Sequence, residues 1–252
     1  MQKMLFLPLA TLAAIAVALA SPASAIDLDG AIGAGAKLGK AATLSDKEVI
    51  ESANEACIYM DKKNKVAAAG SKYTARLARI TQGLHSEDGL SLNFKVYETP
   101  EINAWAMANG CVRVYTGLLD KASDDEVRGV IGHEIGHEIG HVKLGHSKAK
   151  TKTALLAAGA REGVAASGNN KASSLAQSQL GGLAEAVINS QFSQKEESAA
   201  DEYGYRFMVK HKYDPKAMVS MFRKLPGSGG LTSTHPGSEA RAQNIEKLIK
   251  KG

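Results

Sequence analysis

The sequence predicts an α+β fold, predominantly helical, in a single domain. Helix-start signals recur along the chain, from "SDKE" at 45–48 to "SDDE" at 123–126. Only two short runs, "LNFKVYE" (92–98) and "CVRVYTG" (111–117), read as strands. Apart from one doubled tetrapeptide there is no tandem repeat, and no composition shift marks a second domain boundary.

Residues 1–25 read as an export signal. Lys3 precedes an apolar run from Leu5 to Ala20, and "SPASA" ends in Ala23-x-Ala25. The run is short for a membrane span, so cleavage after about Ala25 and a soluble periplasmic chain are expected. No cysteine lies near the cut, so no lipid anchor is expected. Removing 25 residues leaves 227 of 252 and lowers the formal charge from +5 to +4, Lys3 being the only charge lost. That length supports one sizeable core, and no later stretch is apolar for long enough to cross a bilayer. Basic residues are mixed with acidic ones, with 5 Phe and 1 Trp in the whole chain. This argues against a nucleic-acid-binding surface.

Residues 26–42 are rich in glycine and alanine without a steady period and read as a flexible arm, leaving 43–252 as the domain. Ser45 opens a capping box and a helix to about Lys62. A second helix is expected from Ser71 to Leu84, with Tyr73, Leu77 and Ile80 on one face. The two strands come next. Ser123 caps the third helix, which has acidic residues in its first turn and Val127, Val130 and Ile131 on its apolar side. Residues 151–190 read as partly helical around "SGNNKAS". A helix is expected from about Gln194 to His211, Pro215 opens another, and a terminal helix starts near Ser238. The glycine-rich "LPGSGGLTSTHPG" (225–237) between the last two is expected to be a mobile loop. In an exported chain Cys57 and Cys111 fit one disulfide, with two buried thiols as the alternative.

The chemistry sits in "GHEIGHEIGHVKLGH" (132–146), which holds four of the seven histidines and contains His-Glu-x-x-His twice, overlapping at His137. Residues four apart on a helix project from one side. The motif therefore aims two imidazoles at one point, with a carboxylate beside the first able to take a proton from water. That suits zinc. A third protein ligand is needed, and "EESAAD" supplies Glu197, with Asp201 one turn on to accept the free N–H of a ligand histidine.

The pairing of "HEIGH" with the distant "EESAAD" resembles the HtpX-like zinc metallopeptidases, the family that includes the CAAX prenyl proteases, and within it the small periplasmic LoiP-like branch. The likeness runs from about Leu44 to Ile249 through "NAWAMANGCVRVYTGLL", "DDEVRGVIGHEIGH", "VINSQFSQKEESAADEYG" and "THPGSEARAQNI". It implies a gluzincin, a zincin-like fold with a small sheet whose edge strand lines the cleft, Cys111–Thr116 matching that strand. It also implies one Zn2+ per chain, Glu197 as third ligand, and His235 and Arg241 over the substrate carbonyl. Cys57 and Cys111 match positions that pair in this branch. The implied activity is endopeptidase cleavage of unfolded or misassembled envelope proteins, with envelope-associated partners. Two departures stand out: no cysteine for lipid anchoring, and the extra HEIG.

His133 and His141 lie about 12 Å apart along a helix axis, so one zinc with bonds near about 2 Å cannot be held by both. The upstream spacing favours His133, His137 and Glu197 as ligands and Glu134 as base. Using the second copy would bury Glu134 where Val130 packs. The alternative register is His137, His141 and Glu197 with Glu138 as base, because the downstream flank matches that copy. A metal-dependent binding or chaperone module, or an enzyme impaired by the insertion, are the competing functions. His85, His146 and His211 are expected to be structural or solvent-facing, and Trp105 to be packing.

Overall fold

The computed structural model describes residues 45–144, 188, 192–225, 231, 235 and 238–251, with 139–144 and 238 as helix backbone alone. The expected export signal and arm, the 151–190 segment apart from Ile188, and most of the 225–237 loop lie outside these residues.

Helix α1 (Asp46–Lys63) starts at its capping box: Ser45 accepts the Glu48 N–H, and Glu48 Oε2 accepts the Ser45 N–H at 2.9 Å. Helix α2 (Lys72–Ile80) is capped by Ser71 but is shorter than expected. At 81–84 the chain turns out of it, Leu84 N–H returning to the Thr81 carbonyl. A small hairpin, β1 (Ser86–Glu87) and β2 (Leu90–Ser91), turns on Asp88 and Gly89 at φ 46° and 93°. An Asp-Gly pair suits such a turn, because both positions need positive φ.

The main sheet contains β3 (Asn93–Tyr97), β4 (Ala104–Ala106) and β5 (Cys111–Tyr115) in the order β3-β5-β4. β3 runs parallel to β5 and β4 antiparallel to it. This corrects the placing of Cys111–Thr116 at the sheet edge. β5 is the central strand: both its sides are paired and all five residues are buried, as befits a strand covered on both faces. The edge beside the long helix Asp124–Leu144 is β4. Thr116 is not in a strand at all. It begins α3 (Thr116–Lys121), its hydroxyl donating to the Thr99 carbonyl.

The period of two sorts the sheet's side chains cleanly. Val96, Ala104, Ala106, Val112 and Val114 join the main core with the helices. Tyr97, Trp105, Cys111 and Tyr115 face the other way, towards Ala56 and Cys57 of α1. A Cys57–Cys111 disulfide ties α1 to that face. Arg113, on the same face, is buried and donates from Nε and Nη2 to Asp61 at 2.7 and 2.9 Å. Lys95 and the Tyr97 hydroxyl also donate to Asp61, at 2.6 and 2.8 Å. Trp105 is packing, as expected.

The helical layer consists of α4 (Asp124–Leu144), α5 (Gln194–Lys210), α6 (Lys216–Lys224) and α7 (Ser238–Lys251). α4 runs between the β4 edge on one side and α5 and α6 on the other, and α7 lies across α5 and α6. Val127, Val130, Ile131 and Ile135 of α4 are buried in the shared core. Among the described residues, no helix is long and apolar enough to cross a membrane.

Candidate metal centre

Helix α4 is fixed at its start. Ser123 Oγ accepts the Glu126 N–H, and Glu126 Oε2 accepts the Ser123 N–H at 2.7 Å. Glu126 is buried and also takes Lys224 at 2.7 Å, so the cap is anchored to α6. Two turns further on, α4 meets α5 at very short range. A Cβ on Gly132 would lie 2.6 Å from the Phe207 ring, one on Gly136 3.0 Å from the Ala200 carbonyl, and one on Gly204 3.2 Å from the His133 nitrogen. Bare glycine at these points lets the two backbones approach until side chains of α5 reach those of α4.

At that contact His133, His137, Glu197 and His235 are buried, and one donor atom from each lies within 4.8 Å of all the others. His133 Nε2 and His137 Nε2 are 3.0 Å apart. Glu197 Oε1 is 3.4 Å from His137 Nε2, and Glu197 Oε2 is 3.6 Å from His133 Nε2. His235 Nδ1 is 2.8 Å from Glu197 Oε1 and 3.3 Å from His133 Nε2. Donors on a tetrahedral ion with bonds of about 2.0–2.2 Å sit roughly 3.3 Å apart. The spacing of His133, His137 and Glu197, from 3.0 to 3.6 Å, matches that.

Their charge state fits a cation as well. Burial raises the Glu197 carboxyl, but hydrogen bonds with His137 and His235 outweigh it and hold the group well below the usual carboxylate range. Asp201 follows the same pattern, burial being overcome by Arg241 and His133. Both are therefore carboxylates, with Arg241 as the buried cation between them. Burial, reinforced by the neighbouring His133, pushes His137 well below its ordinary value, which keeps the ring neutral and its lone pair available. Asp201 Oδ1 lies 2.9 Å from His133 Nδ1, so that nitrogen carries the proton and Nε2 faces the cluster.

Glu134 is also buried, its Oε1 without a hydrogen bond and 3.4 Å from His235 Nε2. Burial raises its pKa. Glu197 Oε2 likewise lacks a properly directed hydrogen bond, although Arg241 Nη1 is 3.0 Å away. Two buried carboxyl groups, each with an unsatisfied oxygen beside the imidazoles, are what a divalent ion would compensate.

Arg241 is tied to Asp201 of α5. Its guanidinium donates from Nε and Nη2 to both oxygens of Asp201, at 2.9 and 2.7 Å, and its flat face lies 4.2 Å over Phe222. With its fork spent on Asp201, it sits behind the histidines and fixes their supports. His235 is drawn further in than expected, among the donors themselves. The Leu231 N–H bonds to the Ile102 carbonyl beside β4, and the His235 N–H returns to Leu231. Glu138 is buried one turn beyond Glu134. His141 lies on the α4 backbone, with its side chain outside the described residues. His211 is structural: it lies 2.9 Å from the buried Glu87.

Phe192 is a member of the site that sequence reasoning misses. Its ring stacks on His137, with centroids 3.6 Å apart and planes at 27°, and lies 5.2 Å from His235 at 13°. Its signal in the sequence is an aromatic residue directly before the Ser-x-x-Glu box at 193–196.

A predominantly helical domain with a small sheet and a buried His/Glu cluster on paired helices fits a zincin-like fold. The chain is 42% identical to the metalloprotease YcaL of Escherichia coli over 233 residues, covering 90% of each protein. It is 40% identical to the metalloprotease LoiP of the same organism over 226 residues, 87% of this chain and 88% of that one. The mitochondrial metalloendopeptidase OMA1 of Arabidopsis thaliana is 32% identical over 171 residues, spanning 62% of this chain and 31% of its own length. The model of peptidase family M48 matches residues 71–249, which include every member of the cluster. The chain is a metalloprotease and belongs to peptidase family M48.

Proposed function

We propose that the protein is an exported zinc endopeptidase whose metal is held by His133, His137 and Glu197, with Glu134 as the base. The observation that carries this reading is the convergence of those three ligand groups around one point with Glu134 unsatisfied beside it. A bound zinc supplies Lewis acidity and water that ionises near neutral pH. Glu134 takes the proton of the attacking water and delivers it to the departing amine nitrogen. Asp201 keeps His133 in the tautomer that presents Nε2, and Arg241 holds Asp201. His235, buried beside the ligand groups with Nε2 3.4 Å from Glu134, would donate to the developing oxyanion. A module that holds clients without cutting them needs no buried carboxylate next to the ligand histidines.

The first copy of the motif is favoured by packing. Sliding α4 by four residues would put His133 in the slot of Gly129, where a Cβ already comes within 2.7 Å of Met218. It would also put Glu134 in the apolar slot of Val130. Once its export signal is removed, the enzyme works in the periplasm, where unfolded or misassembled envelope proteins are the substrates.

The test uses two near-isosteric substitutions and casein as substrate, with and without a chelator. Glu134→Gln should lower cleavage at least about 100-fold while zinc content is kept, and Glu138→Gln should leave most activity. The reverse pattern assigns the site to His137, Glu138 and His141. Cleavage unaffected by the chelator would remove the metal from the mechanism.

A further inference from the structure

We propose that Phe192 is a positioning residue that shutters the metal centre, holding the planes of His137 and His235 and slowing exchange of the ion. The inference rests on the reading of the centre given above. Ser193 is the N-cap of α5, and its capping box with Glu196 is complete, Ser193 N–H to Glu196 Oε2 being 2.7 Å. The residue before an N-cap usually packs on the fourth residue of the helix, both being apolar, and so fixes the angle at which the chain enters. Here the fourth residue is Glu197, a ligand carboxylate, which offers no apolar partner. Phe192 reaches past it to the rings that Glu197 touches. Its ring lies against His137 at 3.6 Å and almost parallel to His235 at 5.2 Å.

Those two imidazoles, together with Glu134 and Glu197, are buried, whereas Phe192 is half-buried. The phenyl ring thus covers one face of His137 and lies beside His235, and is itself only partly buried. For an ion to leave, a ligand ring must rotate and water must reach the bond. A ring stacked on the imidazole face obstructs both. Hydrogen-bonding supports outside a ligand set typically change metal affinity about 10- to 100-fold, and the ring is expected to act on that scale.

The measurement is zinc release from the loaded full-length mature protein into excess 4-(2-pyridylazo)resorcinol, followed by absorbance, for wild type, Phe192→Ala, Phe192→Leu and Phe192→Tyr. Thermal melting of the chelator-stripped forms runs alongside. Phe192→Ala should release zinc at least about tenfold faster, Phe192→Leu should fall between, and Phe192→Tyr should stay near wild type. The stripped proteins should melt close together. Release at the wild-type rate from Phe192→Ala, or from Phe192→Leu should the alanine form not fold, overturns the proposal and leaves the centre standing. Equal acceleration in Phe192→Tyr overturns it too, since any change at the helix start would then suffice. A wild-type protein that retains no zinc overturns the reading of the centre itself.

Discussion

Asp61 shows how a single side chain ties acid stability to this fold. Burial alone would raise its carboxyl, but hydrogen bonds from Arg113, Lys95 and Tyr97 outweigh that and bring it from 3.8 down to about 2. A folded-state value below the unfolded one adds stability that is fully present above about pH 4. That stability is lost as pH falls from about 4 towards 2. Asp61→Asn should therefore flatten the acid limb of a stability–pH curve and cost about 1 kcal/mol at neutral pH, the full linkage value being cut by solvent screening. Urea unfolding at pH 3 and pH 7 checks this: an unchanged acid limb excludes the network. None of it is legible in the sequence. Arg113 sits inside "CVRVY", where alternation marks a side chain for one face without saying what stands opposite. His133, Glu134, His137 and Glu197 are legible because ligation demands fixed spacings. Phe192 and the pairing of Arg241 with Asp201 are not, because they depend on how separate helices pack.

At the scale of elements, the α4–α5 contact decides whether Glu197 can reach His133 and His137. Alanine at position 132 would gain about 1 kcal/mol of helix propensity over glycine. Its methyl would meet the ring of Phe207, a buried side chain with no room to retreat, 2.6 Å away. Overpacking of this kind costs about 1–3 kcal/mol. Gly132→Ala should be destabilising by about 1 kcal/mol and should weaken zinc binding as the helices part. A melting temperature and zinc affinity at or above wild type would show that the close approach is not needed. Helix starts are legible in the sequence, since Ser45 and Ser123 each stand three residues before the glutamate that completes the cap. Sheet order is not. "AWA" is too short for a period to register, and the edge placing of "CVRVY" rests on the family resemblance, since alternation does not say which strand lies outermost. The hairpin at 88–89 does carry a signal, its Asp-Gly pair, but its strands of two residues are too short to read as strands.

For the whole molecule, the disulfide and the metal centre lie on opposite faces of one sheet. Cys111 and Trp105 point to α1, whereas Val112 and Ala106 point to the helical body. Closing a chain segment of 54 residues stabilises by roughly 4 kcal/mol on the chain-entropy model, and observed values are often about 2–4. Replacing both cysteines by alanine should lower stability by about that amount while zinc content stays stoichiometric. Denaturant unfolding and metal analysis on the same sample separate the two effects. Loss of zinc in the folded double variant would mean that the two faces of the sheet are coupled.

Helix α4 carries its two copies in one unbroken run, and this has a consequence for genetics as much as for chemistry. Deleting 133–136 and deleting 137–140 give the same polypeptide, because each leaves "GHEIGHVKLGH". A four-residue deletion thus has no identity as the first copy or the second, and a gap placed in either when related chains are compared is equally valid. The upstream fixtures, Ser123, Val127 and Val130, and the downstream flank would both be in register with the one remaining motif. Only side chains altered one at a time in the full-length helix can say which copy is which.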